Sequence, residues 1–167
     1  MDLLLDNLKR IIVKKGNFVL RSGKTSSYYL DMREAYADPN MINALADALW
    51  NSTSKKATCV AGYGMGGIPL ATVIASRNNL KLCILREKPK TYGTAKHIDG
   101  YLPSSEDNLL LIDDVYSTGS TFRDATEILN KSGIKINECA VIVLRTSAPT
   151  HPVTYVYNNK DLEIEEI

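Results

Sequence analysis

Apolar positions recur at helical spacing over Leu3, Leu4, Leu5, Leu8, Ile11 and Ile12, with Asp2 placed as an N-cap and Gly16 as a stop, which predicts an opening helix. Two short runs, Phe18-Val19-Leu20 and Tyr28-Tyr29-Leu30, flank the polar turn Arg21-Ser22-Gly23-Lys24 and read as a hairpin. Asp38-Pro39 then sets a capping acid before a proline suited to a first helical turn, and Ile42, Leu45, Ala46, Leu49 and Trp50 supply one apolar face.

From residue 58 the pattern changes. Short apolar runs, Cys59 to Ala61, Leu80 to Leu85, Leu109 to Ile112 and Ala140 to Leu144, are separated by helical segments near Ile68 to Asn78 and Ser120 to Ser132, the last stopped by Gly133. Buried strands alternating with helices require crossovers long enough for parallel pairing, so the expectation is an α/β fold with a mostly parallel central sheet flanked by helices. Pro149 and Pro152 leave little room for a further helix, and Val153 to Tyr157 reads as a last strand. Residues 86–108 interrupt the pattern with Lys, Gly, Pro, Ser and Asp, a length that marks a long flexible loop.

The chain has 167 residues, which suits a single domain over 1–167, and its 20 Lys plus Arg against 19 Asp plus Glu leave a net charge of +1. That balance gives no bulk attraction to nucleic acid or an anionic membrane, so anion binding must come from local clusters. The apolar runs fall far short of the ~18 residues a membrane span needs. Met1 to Asp6 carries acids and lacks the basic and apolar regions of a leader, so a cytoplasmic location is expected. Cys59, Cys83 and Cys139 form no C-x-x-C and sit in or beside apolar runs, as reduced thiols would, and neither His97 nor His151 has a second metal ligand at a usable spacing.

Leu109 through Thr121 reads as strand, acid pair, small-residue loop and helix. At the carboxyl end of a parallel strand, Asp113 and Asp114 would face the ligand crevice. Ser117 to Thr121 would offer N–H groups and hydroxyls at a helix N-terminus, where the peptide dipoles place roughly half a positive charge. Acids beside a phosphate cradle repel the phosphate unless they hold something neutral or cationic, so a phosphosugar with a metal fits, while plain helix capping uses the same residue types. Gly62-Tyr63-Gly64-Met65-Gly66-Gly67 mimics a dinucleotide fingerprint, with Glu87 about 20 residues on, but some 57 residues precede its strand. Its glycines equally admit a free pyrophosphate or make a simple strand-to-helix turn. Arg86, Lys88, Lys90 and Lys96 concentrate charge in the long loop, as a solvated surface or as a lid for a polyanion.

Together these segments resemble the orotate phosphoribosyltransferase family, type I phosphoribosyltransferases, from Phe18 to Arg145. Ile112-Asp113-Asp114-Val115 through Thr121 is similar to the loop for phosphoribosyl pyrophosphate (PRPP), Phe18 to Asp31 to the amino-terminal motif of the orotate branch, Arg86 to Gly93 to its catalytic loop, and Gly66 to Ala71 to its pyrophosphate loop. The resemblance implies transfer of the phosphoribosyl group of PRPP to orotate, with Mg²⁺ as cofactor, in pyrimidine (UMP) biosynthesis. It implies an N-terminal hood over the base within residues 1–35 and a catalytic loop within 86–108, whose segment 86–97 acts across the interface of a homodimer.

By the same resemblance Arg86, Lys90, Tyr92 and Asp114 are catalytic. PRPP would be held by Arg21, Met65, Gly66, Arg86, Lys88, Lys90, Asp113, Asp114, Val115, Tyr116, Ser117, Thr118, Gly119, Ser120 and Thr121, and orotate by Tyr29, Leu30, Ser117 and Arg145. No direct metal ligand is implied; Mg²⁺ would arrive through PRPP. Two departures stand out: Arg86-Glu87-Lys88 exchanges a cation and an anion relative to the common Arg-Lys-Glu order, and Leu144 and Thr146 to Pro149 replace the usual acidic surroundings of the Arg. A phosphoribosyltransferase for another nucleobase and a non-catalytic PRPP-binding regulator are the alternatives, with a nicotinamide dinucleotide binder behind them.

Overall fold

The computed structural model describes residues 2–19, 23, 25–88 and 97–164. Arg21, Lys90 and Tyr92 therefore lie outside the described residues. Helix α1 (Leu3–Ile12) begins as expected: the Asp2 carboxylate accepts the N–H groups of Leu4 and Leu5 at 3.0 and 3.1 Å, and those bonds hold its pKa low. It ends four residues before Gly16. Val13 already pairs with Leu30, because strand β1 (Val13–Val19) runs antiparallel to β2 (Thr25–Leu30). Gly16 instead sits where the register shifts between Lys15 and Phe18, and a Cβ there would lie 3.0 Å from the Phe18 ring. The glycine marks a bulge in a strand, a position its sequence neighbours share with a helix stop.

A short helix that the pattern did not announce, α2 (Met32–Tyr36), follows the hairpin, and α3 (Pro39–Ser52) starts on Asp38, whose side chain accepts from Asn40 N–H at 2.8 Å. The main sheet contains β3 (Cys59–Tyr63), β4 (Lys81–Leu85), β5 (Ile98–Gly100), β6 (Leu109–Tyr116), β7 (Glu138–Leu144) and β8 (Thr154–Asn158), in the order β5-β4-β3-β6-β7-β8. All neighbours are parallel except β4 and β5, which agrees with the mostly parallel sheet expected. Along β6, Leu110 and Ile112 enter one core with α1, α3 and α4 (Gly64–Arg77), while Leu109 and Leu111 enter the other with α5 (Ser120–Lys131). Side-chain alternation thus divides the helices between the two faces.

Residues 86–108 are not one loop. Ile98–Gly100 pairs with β4, and the following segment is pinned by Asp107, which accepts from Tyr101, Lys81, Thr58 and the Ser104 N–H. The alternation cue is too weak over three residues to announce such a strand. Beyond β7, residues 145–153 return to β8 with no helix, as the two prolines required, and α6 (Asn159–Leu162) closes the described chain. Among the described residues, no helix is long and apolar enough to cross a membrane. Cys59, Cys83 and Cys139 are free, and burial pushes each thiol up to about 12.

Candidate functional site

The chain goes from β3 through α4 to one side of the sheet and from β6 through α5 to the other, and β3 and β6 are neighbours. A crevice must open between their carboxyl ends, since the two connections diverge there. It is a cavity of about 340 Å³, and it gathers Met65, Gly66, Asp113, Asp114, Val115, Ser117, Thr118, Ser120 and Thr121 with Tyr29, Leu30 and Arg145.

The glycine-rich segment is the end of β3 and the first turn of α4, which begins at Gly64 and not near Ile68. Gly66 is required for close approach: a Cβ there would come 2.6 Å from Asp114 Oδ1 and 2.8 Å from Asp113 Oδ1. The first turn of α4 is thereby pressed against the acid pair. Among the described residues neither α4 nor α5 has a side-chain cap, neither has an acid in its first turn, and α5 starts on Gly119 at φ +74°. Two helix N-termini with open N–H groups consequently face one cavity from opposite sides of the sheet, each favouring an anion.

Between them stand the two carboxyl groups. Asp114 N–H donates to Asp113 Oδ1 at 2.9 Å and Val115 N–H to Asp114 Oδ1 at 2.7 Å, so each acid folds back on the next peptide. Asp113 is 5% exposed. Burial, and then the charge of Asp114, raise its pKa well above the ordinary carboxylate value, against the bonds from the Asp114 N–H and the Thr121 hydroxyl. Burial also raises Asp114, opposed chiefly by the Val115 N–H. An acid pair in this state accepts hydrogen bonds from neutral hydroxyls readily and gains stability from a nearby developing cation.

Arg145, at the end of β7, is 3% exposed, and its Nε and Nη2 have no hydrogen-bond partner among the described residues. Its backbone is fully used: its N–H donates to the Tyr116 carbonyl at 2.8 Å, and its carbonyl accepts from Asn159 Nδ2 at 3.0 Å. Burial lowers its pKa. A guanidinium fixed at its root and unpaired at its tip is costly unless a carboxylate or phosphate completes it.

The sequence reading did not include Arg33, Tyr63, Gly64 and Glu87 among its site residues, all of which line the cavity. Arg33 is held by Asp31 at 3.0 Å and by the Tyr29 hydroxyl at 3.3 Å. Its spacing of four residues from Tyr29 carries no signal in the sequence, because Tyr29 belongs to β2 and Arg33 to α2 and the turn between them sets their contact. Tyr36, just behind, donates to the Gly66 carbonyl at 3.0 Å, and burial followed by the charges of Asp114 and Asp113 raises its pKa. Nothing in the sequence marked that link, because it joins α2 to α4 through tertiary contact. Tyr116 points elsewhere: its side chain is buried in the core on the α5 face, with its hydroxyl on Thr150. Arg86 and Lys88 are exposed and do not line the cavity, and Arg86 pairs with Asp99 at 3.3 Å. Among the described residues, no cluster of three or more His, Cys, Asp or Glu could cage a metal ion.

A family model described as "Phosphoribosyl transferase domain" matches residues 32–167. The chain is 36% identical over 134 residues to an orotate phosphoribosyltransferase of Methanosarcina mazei, covering 80% of this chain and 71% of that one. It is 35% identical over 135 residues to a bovine uridine 5′-monophosphate synthase, covering 79% of this chain and 28% of that longer protein. Among solved structures, orotate phosphoribosyltransferase from Aeropyrum pernix superposes with a TM-score of 0.77 at 25% identity, over 96% of each chain.

Proposed function

This chain belongs to the phosphoribosyl transferase family and has the type I fold, and on that premise we propose that it transfers the phosphoribosyl group of PRPP to orotate. The products are orotidine 5′-monophosphate and pyrophosphate, on the route to UMP, and we place the reaction in the cytoplasm. The observation that carries the choice of base is Arg145, a buried guanidinium with two nitrogens that lack a partner among the described residues, in the same cavity as the acid pair. Orotate brings a carboxylate to meet it; purines and uracil do not.

Breaking the anomeric carbon–oxygen bond leaves a cationic sugar and a strongly negative leaving group. The site must stabilise separated charge and needs no protein nucleophile. Asp113 and Asp114 hold the ribose hydroxyls, and Asp114 faces the positive charge that grows on the ring. Ser117, Thr118, Ser120 and Thr121 take the 5′-phosphate on the first turn of α5, and Met65 and Gly66 offer the first turn of α4 to pyrophosphate. Tyr29 and Leu30 cover the orotate ring, which Ser117 and Arg145 orient. We assign Arg86, Lys88, Lys90 and Tyr92 to closure over the pyrophosphate, from segment 86–97 of a neighbouring copy in a homodimer, and Arg21 to PRPP.

Asp113 and Asp114, at the carboxyl end of β6 in the cavity, would stand beside a Mg²⁺ ion entering with PRPP, the manner in which Mg²⁺ usually meets phosphates. When bound, it would neutralise diphosphate charge. The test is incubation with PRPP, Mg²⁺ and orotate, following the loss of orotate absorbance. Turnover with orotate and none with adenine or uracil is expected. Turnover only with another base, or PRPP binding without turnover, overturns the proposal.

A further inference from the structure

Glu87 lines this chain's own cavity, unlike Arg86 and Lys88 beside it, which are assigned above to the site of a neighbouring copy, and the proposed reaction gives it no task. It directly follows Arg86, which is tied twice to His97: Arg86 N–H donates to the His97 carbonyl at 2.9 Å, and the Arg86 carbonyl lies 3.1 Å from His97 Nδ1. The neighbouring guanidinium is engaged by Asp99. Glu87 is thus set at the mouth of the site, where it also borders an adjoining cavity of about 660 Å³. Its carboxylate rests against the backbone of Gly64, since a Cβ built there would come 2.8 Å from Glu87 Oε1. Gly64 is the first residue of α4 and has a φ of +60°. A negative charge therefore stands beside the N–H groups assigned above to the pyrophosphate.

We infer that Glu87 determines which form of a diphosphate ligand the site accepts, disfavouring the bare polyanion at the first turn of α4 and favouring the form whose charge a divalent cation has reduced. The inference rests on the reading of the site given above. A divalent cation takes two charges off the ligand, and the repulsion from a fixed carboxylate falls in proportion. At separations of a few ångströms, well inside the ~8 Å screening length at physiological salt, solvent ions do not erase the difference. Glu87 acts on selectivity for the ligand's charge state and takes no part in bond making or breaking.

Calorimetry of the full chain with inorganic pyrophosphate, alone and with Mg²⁺, tests this in the parent and in Glu87→Gln. The variant is expected to bind metal-free pyrophosphate about tenfold more tightly than the parent, with a much smaller change for the Mg²⁺ complex. Glu87→Lys extends the gain in the same direction. An equal gain for both forms, or none for either, overturns the inference while leaving the reading of the site intact, provided the parent binds PRPP with Mg²⁺. A parent that binds neither pyrophosphate nor PRPP overturns both.

Discussion

The floor and the rim of the cavity carry charge in opposite ways. The floor is made by the ends of core strands: Asp113 and Arg145 are almost fully buried, and Asp114 and Gly66 press against each other at van der Waals distance or less for any added carbon. The rim is made by Arg33 and Glu87, with Arg33 leaving 58% of its side chain exposed and Glu87 exposed likewise. Charge on the floor is desolvated before any ligand arrives, so it costs stability in the empty protein and interacts strongly with what binds. Charge on the rim stays hydrated in the empty protein, costs little stability and tunes affinity by about tenfold or less. Effects of substitution should therefore be large and opposite in sign for binding and stability on the floor, and small on the rim.

The sharpest way to break that contrast is Arg145→Met. Loss of the guanidinium should raise the KM for orotate about 100-fold, the usual scale for removing one partner of a buried charge pair. The same change removes an unpaired buried charge, so the unliganded variant should gain about 1 kcal/mol or more of stability, read as a higher Tm. A variant that binds orotate normally, or that melts lower than the parent, would place Arg145 in a purely structural role.

Next in size is Asp113→Asn with Asp114→Asn. Weaker hydrogen bonding to the ribose should reduce PRPP affinity about 100-fold by calorimetry, since each charged hydrogen bond is worth roughly 1.5 to 3 kcal/mol. The stability effect again has the opposite sign. A carboxyl whose folded pKa is raised binds its proton more tightly in the folded protein, so its contribution is full below the ordinary value of 3.8 and is lost as the pH rises through the folded value. The double variant should accordingly outlast the parent most at neutral pH, with the advantage vanishing below about pH 4. Denaturant titrations at several pH values check this; a gap that widens toward acid would contradict the burial argument.

The smallest effect is expected on the rim. Arg33→Ala should raise KM values only about threefold, and 0.5 M salt should shrink even that difference. A loss as large as that of the floor variants would mean that Arg33 is desolvated on closure, and the contrast would then hold only for the empty protein.

Much of the floor was legible beforehand. Leu109 to Ile112 announces a buried strand, the acids follow it, and small residues before a helical pattern place an anion cradle at its start. Even so, the strand continues through both acids to Tyr116, and that extension turns the Tyr116 side chain into the core on the α5 face instead of toward a phosphate. Gly16 illustrates the same limit: a glycine after an apolar periodic run suits a helix end and a strand bulge equally, and only the pairing of Val13 with Leu30 decided between them. The loop over 86–108 misled because three residues of strand and one buried carboxylate organise its second half, and neither has a periodic signature.

Local chemistry written in the chain determined the parallel α/β class, the acid pair, the two glycine-bearing turns and the family resemblance, because periodicity, capping and turn residues act over a few positions. Tertiary structure alone decided that both helix N-termini face one cavity, that Tyr36 ties α2 to Gly66, that two guanidinium nitrogens of Arg145 lack a partner among the described residues and that Glu87 lies on Gly64. Each of these depends on contacts between segments distant in sequence, where burial and electrostatic environment are set by packing and not by the neighbours along the chain.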